Sequence, residues 1–108
     1  NLKVWKFGKY LNYPLVGFLY KEKNKEGILP DIFSFCETSD DNIIINCIKK
    51  EENGSNLIIR FYEVAGKEND ISIKFNFKVK SSYLCNILEE KKEKLETKDN
   101  IIKIKVKP

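Results

Sequence analysis

Residues 43–64 constrain the fold of this chain more than any other segment. Two apolar runs rich in β-branched residues, IIINCI and LIIRFYEV, flank a charged stretch that contains Asn53-Gly54. Isoleucine and the aromatic residues favour a pleated, half-buried surface, and an Asn-Gly pair supplies the positive φ that a tight reversal needs. The pattern therefore predicts a β-hairpin that turns at Asn53-Gly54.

Alternation of apolar and polar residues continues beyond this hairpin. From residue 71 to residue 80 every odd-numbered position is apolar and every even-numbered one is polar, which predicts one face on a core and one in water. Ile102, Ile104 and Val106 repeat the pattern against three lysines. The segments predict an all-β fold, an antiparallel β-sandwich of about seven or eight strands, immunoglobulin-like or related. Shorter candidate strands are residues 2–7, 14–20 and 32–37, and further turns are expected at residues 66–70 and 99–100.

The composition is typical of a single folded domain with a charged, solvated surface. The chain has 108 residues, of which 42% are hydrophobic and 33% charged, with a net charge of +4. This length suffices for one core, so we expect a single domain spanning residues 1–108. No apolar run approaches the ~20 residues of a membrane span, and no signal-peptide pattern is present. Because the chain begins at Asn1 without a methionine, we expect it to be a fragment of a longer protein.

Three cysteines bear on the cellular compartment. Cys36, Cys47 and Cys85 are too widely separated for a metal-ligand motif, and their odd number argues against a disulfide scaffold. Each lies among apolar residues, where an inert core thiol is expected. The simpler interpretation is a reduced, cytoplasmic protein, and a Cys36–Cys47 disulfide is the alternative if their strands are neighbours.

The residues of the hairpin resemble a known family. The segment IKKEENGSNLIIRFYEVAG is similar to part of the C-terminal β-domain of family-38 glycoside hydrolases, the α-mannosidases. In that segment a hydrophobic strand ends in lysines, an acidic turn with Gly follows, and then Leu-Ile-x-Arg-x-Tyr precedes Asn or Glu. The resemblance covers most of the chain from about Tyr13 onward, as an ordered series of short matches. The matching positions are Lys49, Lys50, Glu51, Glu52, Gly54, Leu57, Ile58, Arg60, Tyr62 and Glu63, with further matches at residues 12–15, 27–30, 34–35 and 86–90.

Residues 83–97 are the segment where local propensity and the resemblance disagree. Leu84, Ile87, Leu88, Lys91 and Leu95 fall at helical spacing, so propensity alone predicts a helix. The resemblance instead implies a strand over residues 83–88, a charged turn, and another short extended piece at residues 95–97. We follow the resemblance, which requires tertiary context to override helix propensity.

The resemblance implies that this chain is the noncatalytic C-terminal part of an α-mannosidase that hydrolyses terminal α-mannosides. The family's catalytic site would then lie in an upstream α/β domain, with zinc, its His and Asp ligands and a carboxylate nucleophile. The partners of this chain would be that domain and, through the parent enzyme, a mannoside. The chain contains no histidine, so none of the family's catalytic residues can be assigned to it. Its own acids lie in turns and charge clusters, where we expect them to stay hydrated and near their ordinary pKa. We therefore expect no catalytic residue, no metal site and no cofactor in this fragment.

Five residues of the hairpin are the candidates for an interdomain surface or a sugar cleft: Arg60, Tyr62, Glu63, Lys49 and Lys50. Arg60 is the only arginine among twenty basic residues. We expect it either to pair with an acid of a turn, such as Glu51 or Glu63, or to serve an interface. A set of aromatic residues near the N-terminus is expected to cap the core or to cover an interface, with a carbohydrate platform as the alternative. This set comprises Trp5, Tyr10, Tyr13, Phe18 and Tyr20.

Two other functions compete with the mannosidase interpretation. The chain could be an independent carbohydrate-binding or interaction module. It could also bind nucleic acid if the lysines at positions 74, 78 and 80 lay beside those at 103, 105 and 107. The single arginine, the modest net charge and the lack of aromatic residues among these lysines argue against nucleic acid. An unpaired edge strand would make a homo-oligomer possible.

Overall fold

The computed structural model describes residues 4–19 and 27–107. The chain divides into two compact units, Asn1–Pro30 and Asp31–Pro108. The described residues contain one helix, α1 (Val4–Asn12), and eight strands: β1 (Cys36–Thr38), β2 (Ile43–Lys50), β3 (Leu57–Glu63), β4 (Asn69–Phe75), β5 (Ser82–Cys85), β6 (Lys91–Leu95), β7 (Thr97–Lys98) and β8 (Ile101–Val106). Every paired strand is antiparallel, which confirms the predicted all-β class.

The first unit differs from the sequence-based prediction. Residues 4–7 of the segment predicted as a strand belong to α1, because Val4, Phe7 and Leu11 recur at helical spacing. The helix ends where Asn12 Nδ2 donates to Gly8 O at 3.0 Å, shortly before Pro14, which cannot continue it. The second predicted strand is also wrong over residues 14–19, which form no strand, because Pro14 lacks a backbone donor and Gly17 weakens an extended segment. Residues 2–3 and 20 lie outside the described residues.

The second unit contains three antiparallel sheets. Strands β1, β4, β8 and β7 form a four-stranded sheet in that order, β2 pairs with β3, and β5 pairs with β6. The predicted strand at residues 32–37 is shorter and later than expected, because β1 pairs with β4 only from Cys36 onward. Upstream of Cys36 the chain is instead held by Asn76, whose side chain donates to Ser34 O at 2.6 Å.

The core lies between the β2–β3 hairpin and the four-stranded sheet. Ile43 of β2 is buried against Ile71, Ile73 and Phe75 of β4. Partly buried residues complete this cluster, among them Ile59 and Phe61 of β3, Phe77 and Val79 after β4, and Ile102, Ile104 and Val106 of β8. The predicted alternation in residues 71–80 and 102–106 is therefore confirmed, although β4 itself ends at Phe75. Two layers that share one apolar interior are what defines a β-sandwich.

The turns follow the prediction in one place and depart from it in another. Asp99 and Asn100 have φ values of 52° and 63° and join β7 to β8, as predicted. The β2–β3 hairpin is confirmed, but Asn53-Gly54 does not supply the positive φ expected of it, because neither residue is in the left-handed region. A loop of residues 51–56 makes the reversal instead, closed by a hydrogen bond from Glu51 N to Asn56 O at 2.8 Å. Spreading the reversal over this loop removes the need for a tight turn.

Residues 82–95 form a hairpin and not a helix, so the resemblance was right against helix propensity, but its bounds differ from those of the structure. The strand expected over residues 83–88 ends at Cys85, and residues 91–94 of the expected charged turn belong to β6. Strand β5 pairs with β6 from Ser82 opposite Leu95 to Cys85 opposite Lys91. Asn86 closes the turn between them, because its Oδ1 accepts hydrogen bonds from the backbone N–H groups of Leu88 and Glu90. An Asn side chain that binds backbone donors in this way competes directly with helix formation.

Candidate functional site

The five predicted site residues lie on the β2–β3 hairpin but on two different faces. Lys49 is opposite Ile58, and Cys47 is opposite Arg60, so the side chains of Lys49, Arg60 and Tyr62 share the face opposite to the one that carries Ile43 of the core cluster. Lys50 and Glu63 have the opposite parity. A bulge at Asn46 maintains this arrangement, because it lets both ends of β2 present apolar residues to the core.

Lys49 and Arg60 meet on one carboxylate. Glu89, in the turn between β5 and β6, lies 2.8 Å from Lys49 Nζ and 3.5 Å from Arg60 Nη2 through its Oε1. Its Oε2 accepts a hydrogen bond from the backbone N–H of Glu52 at 2.8 Å. Lys49 Nζ also binds Glu52 Oε2 at 3.0 Å. We call Lys49, Glu52, Arg60 and Glu89 the hairpin cluster, because it joins the β2–β3 and β5–β6 hairpins.

Neither Glu52 nor Glu89 was among the predicted site residues, and Glu89 is the member on which the cluster centres. We expected the turn acids to be hydrated, but only 10% of the Glu89 side chain is exposed. Its pKa is lowered, first by the hydrogen bond from Lys49 and then by that from the Glu52 backbone. The pKa of Lys49 is raised mainly by Glu89. The prediction of an ordinary pKa is therefore wrong for Glu89, because two cations and one N–H favour the charged carboxylate.

The backbone of Glu89 is held in an uncommon conformation. Its φ is 66°, in the left-handed region that residues other than Gly, Asn and Asp rarely adopt. Glu89 N donates to Asn86 O at 3.0 Å, and Asn86 N donates to Glu90 O at 3.2 Å. These bonds fix the turn so that the Glu89 side chain extends towards Lys49 and Arg60. The signal in the sequence was Asn86, three residues before Glu89, since Asn favours such turns.

The remaining candidates have other roles. Arg60 does pair with a turn acid, as expected, but the partner is Glu89 and not Glu51 or Glu63. Glu63 accepts hydrogen bonds from the backbone N–H groups of Ala65, Gly66 and Lys67, so it caps the turn that follows β3. Tyr62 is 48% exposed on the face that carries Arg60. Lys50 is exposed at the end of β2.

The chemistry of the hairpin cluster is that of a fixed ion pair. A carboxylate with a lowered pKa is a poor proton donor near neutrality, and here both of its oxygens are already occupied. The described residues contain no group of three or more His, Cys, Asp or Glu side chains that could hold a metal ion. Because the sequence also lacks histidine, the donor set of this chain does not fit the zinc site of a glycoside hydrolase. All three cysteines are free and half-buried, so the alternative of a Cys36–Cys47 disulfide is not formed.

Comparison with known proteins decides the family. A family model described as the glycosyl hydrolases family 38 C-terminal beta sandwich domain matches residues 42–108. The chain belongs to this family. The match confirms the resemblance found in the sequence, and all four residues of the hairpin cluster lie within it. No curated protein and no solved structure matches the chain.

The outer face of the four-stranded sheet in this family-38 sandwich carries the lysine rows. Strands β4 and β8 are neighbours, so the condition for a basic stripe is met. However, Lys105 lies opposite Asp70 and binds Glu68 at 2.5 Å, and Lys74 lies opposite Glu37 on β1. Lys78 and Lys80 lie beyond the end of β4. Carboxylates therefore interrupt the stripe, which weakens its field for a phosphate backbone.

In the first unit of the family-38 chain, most apolar side chains at positions 4–19 and 27–30 are exposed. No residue of α1 is buried, and among the predicted aromatic set Tyr10, Tyr13 and Phe18 are 66%, 77% and 91% exposed. Trp5 is half-buried, and Tyr20 lies outside the described residues. No helix in the described part of the chain is both long and apolar enough to cross a membrane.

Proposed function

We propose that this chain is the noncatalytic C-terminal β-sandwich of an α-mannosidase and that it braces the catalytic domain of the same polypeptide. The observation that carries the proposal is the family match over residues 42–108 in a chain without histidine. Zinc, the mannoside and the residues that act on it then belong to the upstream domain.

The distribution of exposed apolar residues supports a bracing role. Monomeric proteins rarely leave large contiguous apolar patches in water, yet many large apolar residues between positions 4 and 35 are exposed. Leu15, Phe18, Leu19, Ile28 and Ile32 each have more than 90% of their surface accessible. Large exposed apolar surfaces mark protein–protein interaction sites, and the partner we propose here is the catalytic domain.

The outer face of the β2–β3 hairpin is the part of the sandwich we propose to meet the catalytic domain or its sugar cleft. Arg60 and Lys49 are fixed there by Glu89, and Tyr62 stands exposed beside them. The guanidinium of Arg60, held in place beside the exposed phenol of Tyr62, can donate hydrogen bonds to a polar domain interface or to a sugar hydroxyl. Lys50 and Glu63 lie on the other face, so we assign them no part in this surface.

Hydrolysis of an aryl α-mannoside tests the proposal. The chain alone, with or without added zinc, is expected to show no turnover, while a parent enzyme that lacks this domain loses activity and thermal stability. Matched Arg60→Ala and Lys94→Ala variants of the parent enzyme test the surface, since Lys94 lies on β6, away from the hairpin cluster. Turnover by the isolated chain, or full activity of the truncated parent, contradicts the proposal.

The alternative of an independent carbohydrate-binding module is favoured by the exposed aromatic side chains of Tyr10, Tyr13 and Phe18. Titration with mannosides distinguishes it, because only a module of that kind binds them without the catalytic domain. A parallel titration with DNA at two salt concentrations tests nucleic-acid binding, which we expect to be absent. We also propose that the protein acts in the reducing cytoplasm, since its thiols are unpaired.

A further inference from the structure

The β5–β6 hairpin lies outside the core of the sandwich. None of its residues is buried, and none belongs to the apolar cluster between the two layers. Leu84 is 41% exposed, and Ile87 and Leu88 at the tip are each 73% exposed. Cys85 and Leu95, nearer the base, are half-buried. Hydrophobic burial therefore contributes little to holding the tip of this hairpin against the rest of the second unit.

Two polar contacts fasten the hairpin at its opposite ends. At the base, Ser82 Oγ and Thr97 Oγ1 are 2.6 Å apart. At the tip, the Glu89 carboxylate binds Lys49, Arg60 and the backbone N–H of Glu52. The base is also held covalently, because β6 leads directly into β7. At the tip, the polar contacts to the β2–β3 hairpin within residues 4–19 and 27–107 all run through the side chain of Glu89.

We propose that Glu89 is an electrostatic latch, whose protonation releases the tip of the β5–β6 hairpin while the β-sandwich core stays folded. The inference rests on the hairpin cluster and on the exposure of the hairpin, and it does not depend on the proposed function. Released from the β2–β3 hairpin, the turn uncovers the side-chain cations of Lys49 and Arg60 that Glu89 contacts.

The charges around Glu89 give the latch its direction. Lys49 from β2 and Arg60 from β3 face the carboxylate, and Glu52 reaches the other side of Lys49. Glu90, the next residue in the turn, binds Lys92 at 3.3 Å and Asn86 at 2.8 Å instead. Among the described residues, Glu89 carries the only negative charge that binds both Lys49 and Arg60, and its protonation removes this charge while Lys49 keeps Glu52. The left-handed backbone of Glu89 favours release as well, since a non-glycine residue is strained there.

Amide hydrogen exchange of the whole 108-residue chain tests the latch. The measured quantity is the ratio of exchange rates in β5–β6 to those in β4, which removes the intrinsic effect of pH on exchange. At neutral pH, Glu89→Gln is expected to raise this ratio roughly tenfold, and Glu90→Gln is expected to leave it unchanged. Protected β4 amides in Glu89→Gln show that the core is still folded.

Titration of the wild-type chain provides a test that needs no variant. The amide resonance of Glu52, which donates to Glu89 Oε2, is expected to shift as Glu89 gains its proton, and the exchange ratio is expected to rise over the same pH interval. The Glu89→Gln chain, whose ratio is already raised at neutral pH, is expected to show no further rise over this interval. The proposal is overturned if the ratio stays constant as the Glu52 resonance shifts, if that resonance does not shift, or if β5–β6 and β4 lose protection together.

Discussion

Two glutamates of this chain have roles that differ from those expected of a charged residue in or near a turn. Glu89 is a charged residue in a turn, yet its side chain is nearly covered and has two cationic partners. Glu63 was a candidate for a sugar cleft, yet it serves the backbone of the next turn through three N–H donors. Two cations decide the role of the Glu89 carboxylate, and three backbone N–H groups decide that of Glu63.

Replacing Glu63 tests this role. Glu63→Ala leaves three backbone N–H groups of the turn without their acceptor, so we expect the free energy of unfolding to fall by about 1–2 kcal/mol. The midpoint of urea unfolding measures the change. Glu93→Ala, on exposed β6, is the control and should shift the midpoint little. Equal midpoints for the two variants would contradict the assignment.

Gly66 is a second residue whose backbone matters. Its φ is 68°, and nothing lies within 4 Å of the position a Cβ would take. Gly66→Ala is therefore expected to cost about 1 kcal/mol through backbone strain alone, and Gly66→Asn less, since Asn tolerates this conformation. Thermal melts of both variants measure the difference. Two indistinguishable melting temperatures would show that strain is not the cause.

At the scale of elements, burial separates strands that hold the fold from those that only cover it. Strand β4 contributes three of the buried core residues, Ile71, Ile73 and Phe75, and is paired on both sides, with β1 and with β8. Strands β5 and β6 pair only with each other and bury none of their residues. Stability is therefore expected to be concentrated in β4 and its neighbours.

Truncation of apolar side chains tests this division. Ile73→Ala removes a side chain that is 4% exposed, so we expect it to cost about 2–5 kcal/mol. Ile87→Ala removes one that is 73% exposed and should cost well under about 1 kcal/mol. Chemical denaturation gives both values. A similar loss from the two truncations would show that the β5–β6 hairpin belongs to the core.

For the whole molecule, the dependence of stability on pH follows from Glu89. Its pKa is lowered in the folded state, so its contribution is present above the pKa of an unfolded glutamate and disappears as pH falls through the lower, folded pKa. Lys49 acts in the opposite sense, because its pKa is raised in the folded state. Its contribution to stability is present below the pKa of an unfolded lysine and disappears as pH rises through the higher, folded pKa. We expect both changes to be screened by salt, since Arg60 and Lys49 are partly exposed.

The urea midpoint measured as a function of pH checks this linkage. Between neutral pH and the acid range, the wild-type midpoint is expected to fall more steeply than that of Glu89→Gln, because the variant has no carboxylate to protonate there. Glu90→Gln should follow the wild-type curve. Parallel curves for wild type and Glu89→Gln would contradict the linkage.

The sequence by itself determined the strands whose side chains face both core and water. Alternation in residues 71–80 and 102–106 predicted β4 and β8, and the residues around Arg60 indicated the family, because both signals are local in the chain. Helix α1 follows a local spacing of apolar residues that the strand prediction for residues 2–7 did not use. Two features depended on contacts between distant residues: the β5–β6 hairpin against its helix propensity, and the partner of Arg60. Glu89 is 29 residues from Arg60 along the chain, so only folding brings their charges together. The alternation of apolar and polar residues shows which face of a strand is apolar. An ion pair between two hairpins depends on where the folded chain places each hairpin.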